Sequence, residues 1–208
     1  MSVSLGFWHE NEKCLYLASD SCVNTGENRQ IGGRKVFPIS NYIWITATGH
    51  PEQIAGFETT EIYSMESIMA PPLSFLIEGI TDIDDVAMTI YEQYASHHER
   101  ICIIIAGFQN GLPRMIEINK TPKKHDILGL KCTQIENTYV IGTQEANQAY
   151  SQYNDFDNCL VRDPIETISG FFDLVSSIQT NNAKPISVSR PYHIYRLYCD
   201  HYDYTPIE

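Results

Sequence analysis

A four-layer αββα sandwich, two antiparallel sheets flanked by helices, is the α+β fold that the sequence predicts, and three observations predict it. The elements run strands, two helices, strands, two helices, strands. The strands are short runs joined by turn residues, as in hairpins. The helical stretches come in pairs, each with one apolar stripe, so each pair covers one face of a sheet. At 208 residues and 43% apolar content, residues 1–208 can bury the core of one compact domain, and no linker, repeat or low-complexity stretch divides them.

The chain opens with two strand-like runs, VSLGFW and CLYLASD, joined by the polar turn HENEK. A glycine-rich connection, NTGENRQIGG, leads to the strands RKVFPI and YIWITATG, with Ser40 and Asn41 as the turn between them. In the second of these, Ile43, Ile45 and Ala47 face one way while Tyr42, Trp44 and Thr46 face the other. From Pro51 the period changes. Ile54, Phe57, Ile62, Met65 and Ile68 fall at helical spacing, and Pro71-Pro72 is expected to stop that helix. A second helix is expected from Thr81 or Asp82, with Ile83, Val86, Ala87, Ile90, Tyr91 and Tyr94 as its stripe.

Strands return at ICIIIAGF and PRMIEI, with Gln109-Asn110-Gly111 as the hairpin signal. The unbroken apolar run of the first predicts a strand covered on both faces. Shorter strands are expected over 126–131 and 138–141, and helices over 143–153 and 164–178. ISVS and YHIYRLY are expected to close the fold, leaving DHYDYTPIE as a loose end.

Composition excludes several classes of function. A net charge of −12 without a basic cluster argues against nucleic acid. No apolar run approaches the roughly 18 residues of a membrane span, and the N-terminus lacks the basic and apolar blocks of a secretion leader, so a cytoplasmic location is expected. Cysteines 14, 22, 102, 132, 159 and 199 stand singly with no CxxC pair, as reduced thiols do. No metal or cofactor is expected.

The first 50 residues hold the chemistry. Ser2 follows a methionine that an aminopeptidase removes before so small a residue. Asp20 ends the second strand, Lys35 begins the third and Gly49 ends the fourth, with spacings of eighteen, fifteen and fourteen residues. In adjacent hairpins these spacings bring all four to one end of one sheet. An exposed N-terminal hydroxyl is activated by its own α-amine, whose ordinary pKa of about 7.7–8.0 leaves much of it neutral near pH 7. Lys35 would lower that pKa further and stabilise the alkoxide, and Asp20 would orient Lys35. The Gly49 N–H would donate to the tetrahedral oxyanion, a role that often contributes ~3 kcal/mol.

The run SVSLGF…LASDSCVN…GRKVFPI…ITATGH resembles the opening of proteasome β-subunits and their bacterial relatives, which are N-terminal nucleophile (Ntn) hydrolases. CIIIAGF…GLPRMIEI, YVIGTQEANQAY and KPISVSRPYHIYRL resemble later segments of that family, so the similarity spans nearly the whole chain. The resemblance implies the Ntn-hydrolase fold and hydrolysis of peptide or amide bonds. It sets Ser2 at the nucleophilic threonine, Asp20 and Lys35 at its acid and lysine, and Gly49 at its oxyanion donor. Thr143 falls at the serine that supports the nucleophile, Asn24 at a contact to the substrate backbone and Val23 beside the specificity pocket. It further implies peptide or protein substrates, homo-oligomers that include rings, and an ATPase partner in some relatives. Serine in place of threonine, Gly142-Thr143-Gln144 in place of Gly-Ser-Gly, and Asn181 and Asn182 in place of an aspartate depart from the pattern. Two readings therefore stand: an active hydrolase, or an inactive subunit that acts through assembly.

Overall fold

A computed structural model describes residues 3–25, 28–30, 33–49, 65–97, 101–120, 130–131, 138–184 and 187–208. Two five-stranded antiparallel sheets face each other. The first has the order β10-β1-β2-β11-β12, built from Tyr139–Ile141, Ser4–His9, Cys14–Ser19, Tyr192–Leu197 and Tyr202–Ile207. The second runs β5-β6-β7-β8-β9, from Val36–Pro38, Ile43–Gly49, Ile101–Gln109, Leu112–Lys120 and Leu130–Lys131. Helices α1 (Met65–Leu76) and α2 (Ile83–Gln93) cover the outer face of the second sheet. Helices α3 (Gln144–Gln152), α4 (Phe156–Arg162) and α5 (Pro164–Asn181) cover the first. This is the expected αββα order.

The period-2 alternation of the strands sorts side chains into three apolar layers. On β7, Ile103 and Ile105 join Met69, Leu73 and Ile90 under the helices, while Ile104 and Ala106 face the other sheet. The strand is thus covered on both faces, as its apolar run predicts. On β6, Ile43, Ile45 and Ala47 take the helix side and Trp44 the space between sheets. Leu15 and Leu17 of β2 and Tyr195 of β11 meet Trp44 and Ile104 there. Asn110 and Gly111, at φ 53° and 74°, make the β7–β8 turn, a conformation open to Asn and Gly because it needs φ > 0 at both places.

Helix α2 begins where expected. The Asp82 carboxylate accepts from the Asp84 and Asp85 N–H groups at 2.9 and 3.1 Å and caps it. Elsewhere the structure corrects the sequence reading. Pro71 and Pro72 lie exposed inside α1, which continues to Leu76. Burial of Met69, Leu73 and Ile77, roughly 2 kcal/mol each, is comparable to the cost of the two interior prolines at ~3 kcal/mol each. The start expected for that helix, at 51–64, and the strand residues 126–129 lie outside the described residues.

NTGENRQIGG is more than a connection. Val23–Thr25 (β3) and Asn28–Gln30 (β4) pair as a two-stranded ribbon. Helix α4 was hidden by the shortness of its stripe, Phe156 and Leu160.

ISVS is not a closing strand over its described part. Its Ser187 is instead clamped by a side chain, the N–H donating to Gln179 Oε1 (2.9 Å) and Oγ accepting from Gln179 Nε2 (2.7 Å). β11 lies between β2 and the tail expected to be loose. Tyr202–Ile207 pairs over six residues, with Tyr202 against Trp44 (ring centroids 4.6 Å) and Tyr204 against Tyr195 (4.8 Å). Pro206 is tolerated because β12 is an edge strand. Among the described residues no helix is long and apolar enough to cross a membrane.

Candidate active site

The site begins with the turn that follows β2. Asp20, one residue past the strand, is fully buried, and its carboxylate gathers three donors. Val3 N–H donates to Oδ1 at 2.9 Å, while Cys22 N–H and Lys35 Nζ donate to Oδ2, both at 2.8 Å. The Asp20 N–H returns a bond to the Val3 carbonyl at 3.3 Å. Lys35 is 1% exposed. Burial pushes its ammonium below the ordinary lysine range, against the opposing pull of the Asp20 charge and hydrogen bond and of Cys22.

Two links fix this pair between the sheets. The Lys35 carbonyl accepts from Ala47 N–H at 3.3 Å, which sets Lys35 in register with β6. Thr46 Oγ1 donates to Ser4 Oγ at 2.8 Å, both side chains fully buried, and joins β6 to β1. The expectation of a single sheet is therefore corrected. Asp20 follows a strand of the first sheet and Lys35 precedes a strand of the second, so the pair spans the gap that the sandwich creates. Gly49 ends β6, three residues past Thr46, and pairs with Ile101.

Ser2 lies outside the described residues. It is the covalent neighbour of Val3, whose N–H is held by Asp20. Thr143 is buried and caps α3, its Oγ1 accepting from Ala146 N–H at 3.3 Å. It follows Ile141 by two residues, and Ile141 pairs with Ser4. Ser2 precedes Ser4 by the same interval. Val23 and Asn24 lie on β3, opposite Gln30 and Arg29. The structure thus brings Asp20, Lys35 and the backbone after Ser2 into contact, while Gly49 ends β6 and Thr143 stands two residues past β10 as the cap of α3. Asn181 ends α5 and Asn182 is its C-cap, both exposed.

Sequence reasoning missed two features. Glu145, 5% exposed in the first turn of α3, pairs with Lys184 just beyond α5, and that hydrogen bond holds its carboxyl below the ordinary range. His193 is 5% exposed, opposite Ser19 on the neighbouring strand, with Nδ1 at 2.8 Å from Tyr204 Oη. Single residues of these types carry no periodic signal, and pairing alone reveals them.

Burial, reinforced by the Arg34 and Lys35 charges, lowers His193 from 6.5 to about 4. The folded pKa is depressed, so the neutral ring stabilises the protein above pH 6.5 and that contribution is lost as pH falls towards 4. The loss amounts to about 3 kcal/mol. Urea unfolding at pH 7.5 and pH 4 is expected to show it in the wild type and not in His193→Phe. Parallel pH slopes in the two proteins would contradict it.

No family model matches the sequence, and no curated protein does. The fold does match solved structures. One is the Anbu (Gly-1) mutant from Hyphomicrobium sp. strain MC1, with a TM-score of 0.65 over 100% of this chain and 87% of that one, at 15% identity. At that identity the likeness shows a shared fold alone, the two-sheet αββα sandwich.

Proposed function

We propose that the protein is an N-terminal nucleophile hydrolase of the proteasome type, which cleaves peptide or amide bonds with Ser2 after loss of Met1. The observation that carries this reading is the buried Asp20–Lys35 pair, tied through Asp20 Oδ1 to the N–H of Val3, the residue after Ser2. A lysine and a carboxylate buried together are costly to keep, and active sites are where such pairs concentrate.

In this reading Ser2 Oγ attacks the carbonyl carbon while its proton passes to the free α-amine. The Gly49 N–H donates to the oxyanion. The proton then moves to the leaving amine, and water hydrolyses the Ser2 ester. Lys35, with its proton affinity lowered by burial, is held by the carboxylate that also binds the N–H after Ser2, and in this reading it tunes the α-amine. Val23 and Asn24 line the substrate's path, and Thr143 supports the Ser2 backbone. Peptide or protein substrates, homo-oligomeric rings and an ATPase partner belong to the same proposal.

One observation favours a second reading, an inactive subunit acting through assembly. At the place of the family's aspartate the chain has exposed amides, Asn181 and Asn182. Intact mass and active-site labelling separate the two. The protein from its native host is expected to lack Met1 and to gain one equivalent of a peptide epoxyketone or β-lactone at Ser2. Retention of Met1 would lock the α-amine in a peptide bond and leave the assembly reading.

A further inference from the structure

We infer that the protein carries a second binding site, for a soft organic cation such as a quaternary ammonium or guanidinium group, in an aromatic cavity at the far end of the sandwich from Asp20 and Lys35. The strand registers give its place. His193 pairs with Ser19 at the Asp20 end of the first sheet, and Leu197 with Leu15 at the other. On the second sheet, Lys35 lies level with Ala47 near the end of β6, whereas Trp44 lies near its start.

Two hairpin turns, one from each sheet, face each other there. The β5–β6 turn brings Tyr42, and the β11–β12 turn brings Tyr198, Asp200 and Tyr202, around a floor that includes Trp44 and Phe108. The open cleft between them is about 460 Å³, the size of a small-molecule site. Gly107 lets the first turn close over it, because a Cβ there would stand 2.4 Å from the Tyr42 carbonyl oxygen.

The chemistry of the wall selects the ligand. Five aromatic rings line one cavity, and Tyr42 and Tyr202 are left 70% and 53% exposed. The ring faces carry negative potential and attract cations of low hydration. The exposed carboxylate at the rim, Asp200, adds negative potential, and its 2.6 Å hydrogen bond to His201 Nδ1 fixes it. His201 in turn stacks on Tyr198 with ring centroids 4.4 Å apart. Among the described residues that line the cavity none is lysine or arginine, so no permanent positive charge there opposes a cation. The net charge of −12 draws cations to the whole surface, and this cavity is where an apolar cation finds aromatic faces as well.

The test is isothermal titration calorimetry of the full chain with three probes: choline, Nα-acetylargininamide, and 3,3-dimethylbutan-1-ol, the neutral isostere of choline. At least one cation is expected to bind saturably, and choline roughly tenfold more tightly than the alcohol if it is the one that binds. Choline binding alone identifies a free quaternary ammonium as the source, and binding of the arginine derivative alone identifies the side chain of a peptide. Asp200→Asn is expected to weaken the bound cation several-fold, and Tyr42→Ala or Tyr202→Ala by about tenfold or more. Tyr42 is exposed enough that its loss leaves the fold in place. Absence of saturable binding by either cation, equal affinity of choline and the alcohol, or affinity unchanged in both tyrosine variants would each overturn the inference.

Discussion

Asp20→Ala is expected to lower the unfolding free energy by about 3–5 kcal/mol, a larger stability effect than other single replacements near the site. The carboxylate is fully buried and accepts from Val3 N–H, Cys22 N–H and Lys35 Nζ. Its removal leaves two backbone donors and a 1%-exposed ammonium without their acceptor. The cost arises mainly from that stranded charge, so the two sites must couple. Lys35→Met alone leaves Asp20 with its two backbone donors and should cost less. In the double variant Asp20→Ala/Lys35→Met, part of the Asp20 loss should return. Urea denaturation of the four proteins closes the cycle and gives the coupling directly. A cost below about 1 kcal/mol for Asp20→Ala would place the pair among solvated ion pairs and remove the electrostatic basis of the site.

Much of this arrangement was legible because it rests on local signals. The alternation on β6, the Asn110-Gly111 turn and the Asp82 cap are each decided by residues within a few positions of one another, and the structure places each where the sequence predicts it. The errors share a different origin. Pro71 and Pro72 oppose a helix locally, but Met69 and Leu73 are anchored in a core made by strands far along the chain. The C-terminal tail looks polar and unattached until β11 lies beside it and Tyr202 and Tyr204 find Trp44 and Tyr195.

The site divides in the same way. Order along the chain singled out Asp20, Lys35 and Gly49, and the contact of Asp20 with Lys35 follows from that reading. The mistake was to expect one sheet. Hairpins that are neighbours in sequence, β1–β2 and β5–β6, belong to opposite sheets, and only the long-range pairings of β10 with β1 and of β7 with β6 make that visible. This placement matters chemically. A lysine between two sheets is dry, which lowers its proton affinity, whereas one on a sheet edge would be solvated and would titrate as an ordinary amine.

Ser2→Ala is expected to abolish hydrolysis of peptide and amide substrates, by about a thousandfold or more, while leaving stability within about 0.5 kcal/mol of the wild type. The two halves of that expectation have different causes. Hydrolysis depends on Ser2 Oγ as the atom that forms the acyl ester, and alanine has none. Stability depends on the backbone, since the bonds to Asp20 are made by the N–H and carbonyl of Val3, which alanine at position 2 leaves unchanged. Methionine aminopeptidase also accepts alanine next to the initiator, so the α-amine is still freed and the loss reports on the hydroxyl alone. Ser2→Thr should restore activity, because the hydroxyl returns with one added methyl group. Lys35→Ala is expected to be equally inactive and less stable, as it leaves Asp20 buried without its cation. Full turnover by Ser2→Ala would end the hydrolase reading at this site. Inactivity of the wild type with Met1 removed, on every peptide and amide tried, would instead favour the assembly reading that Asn181 and Asn182 support.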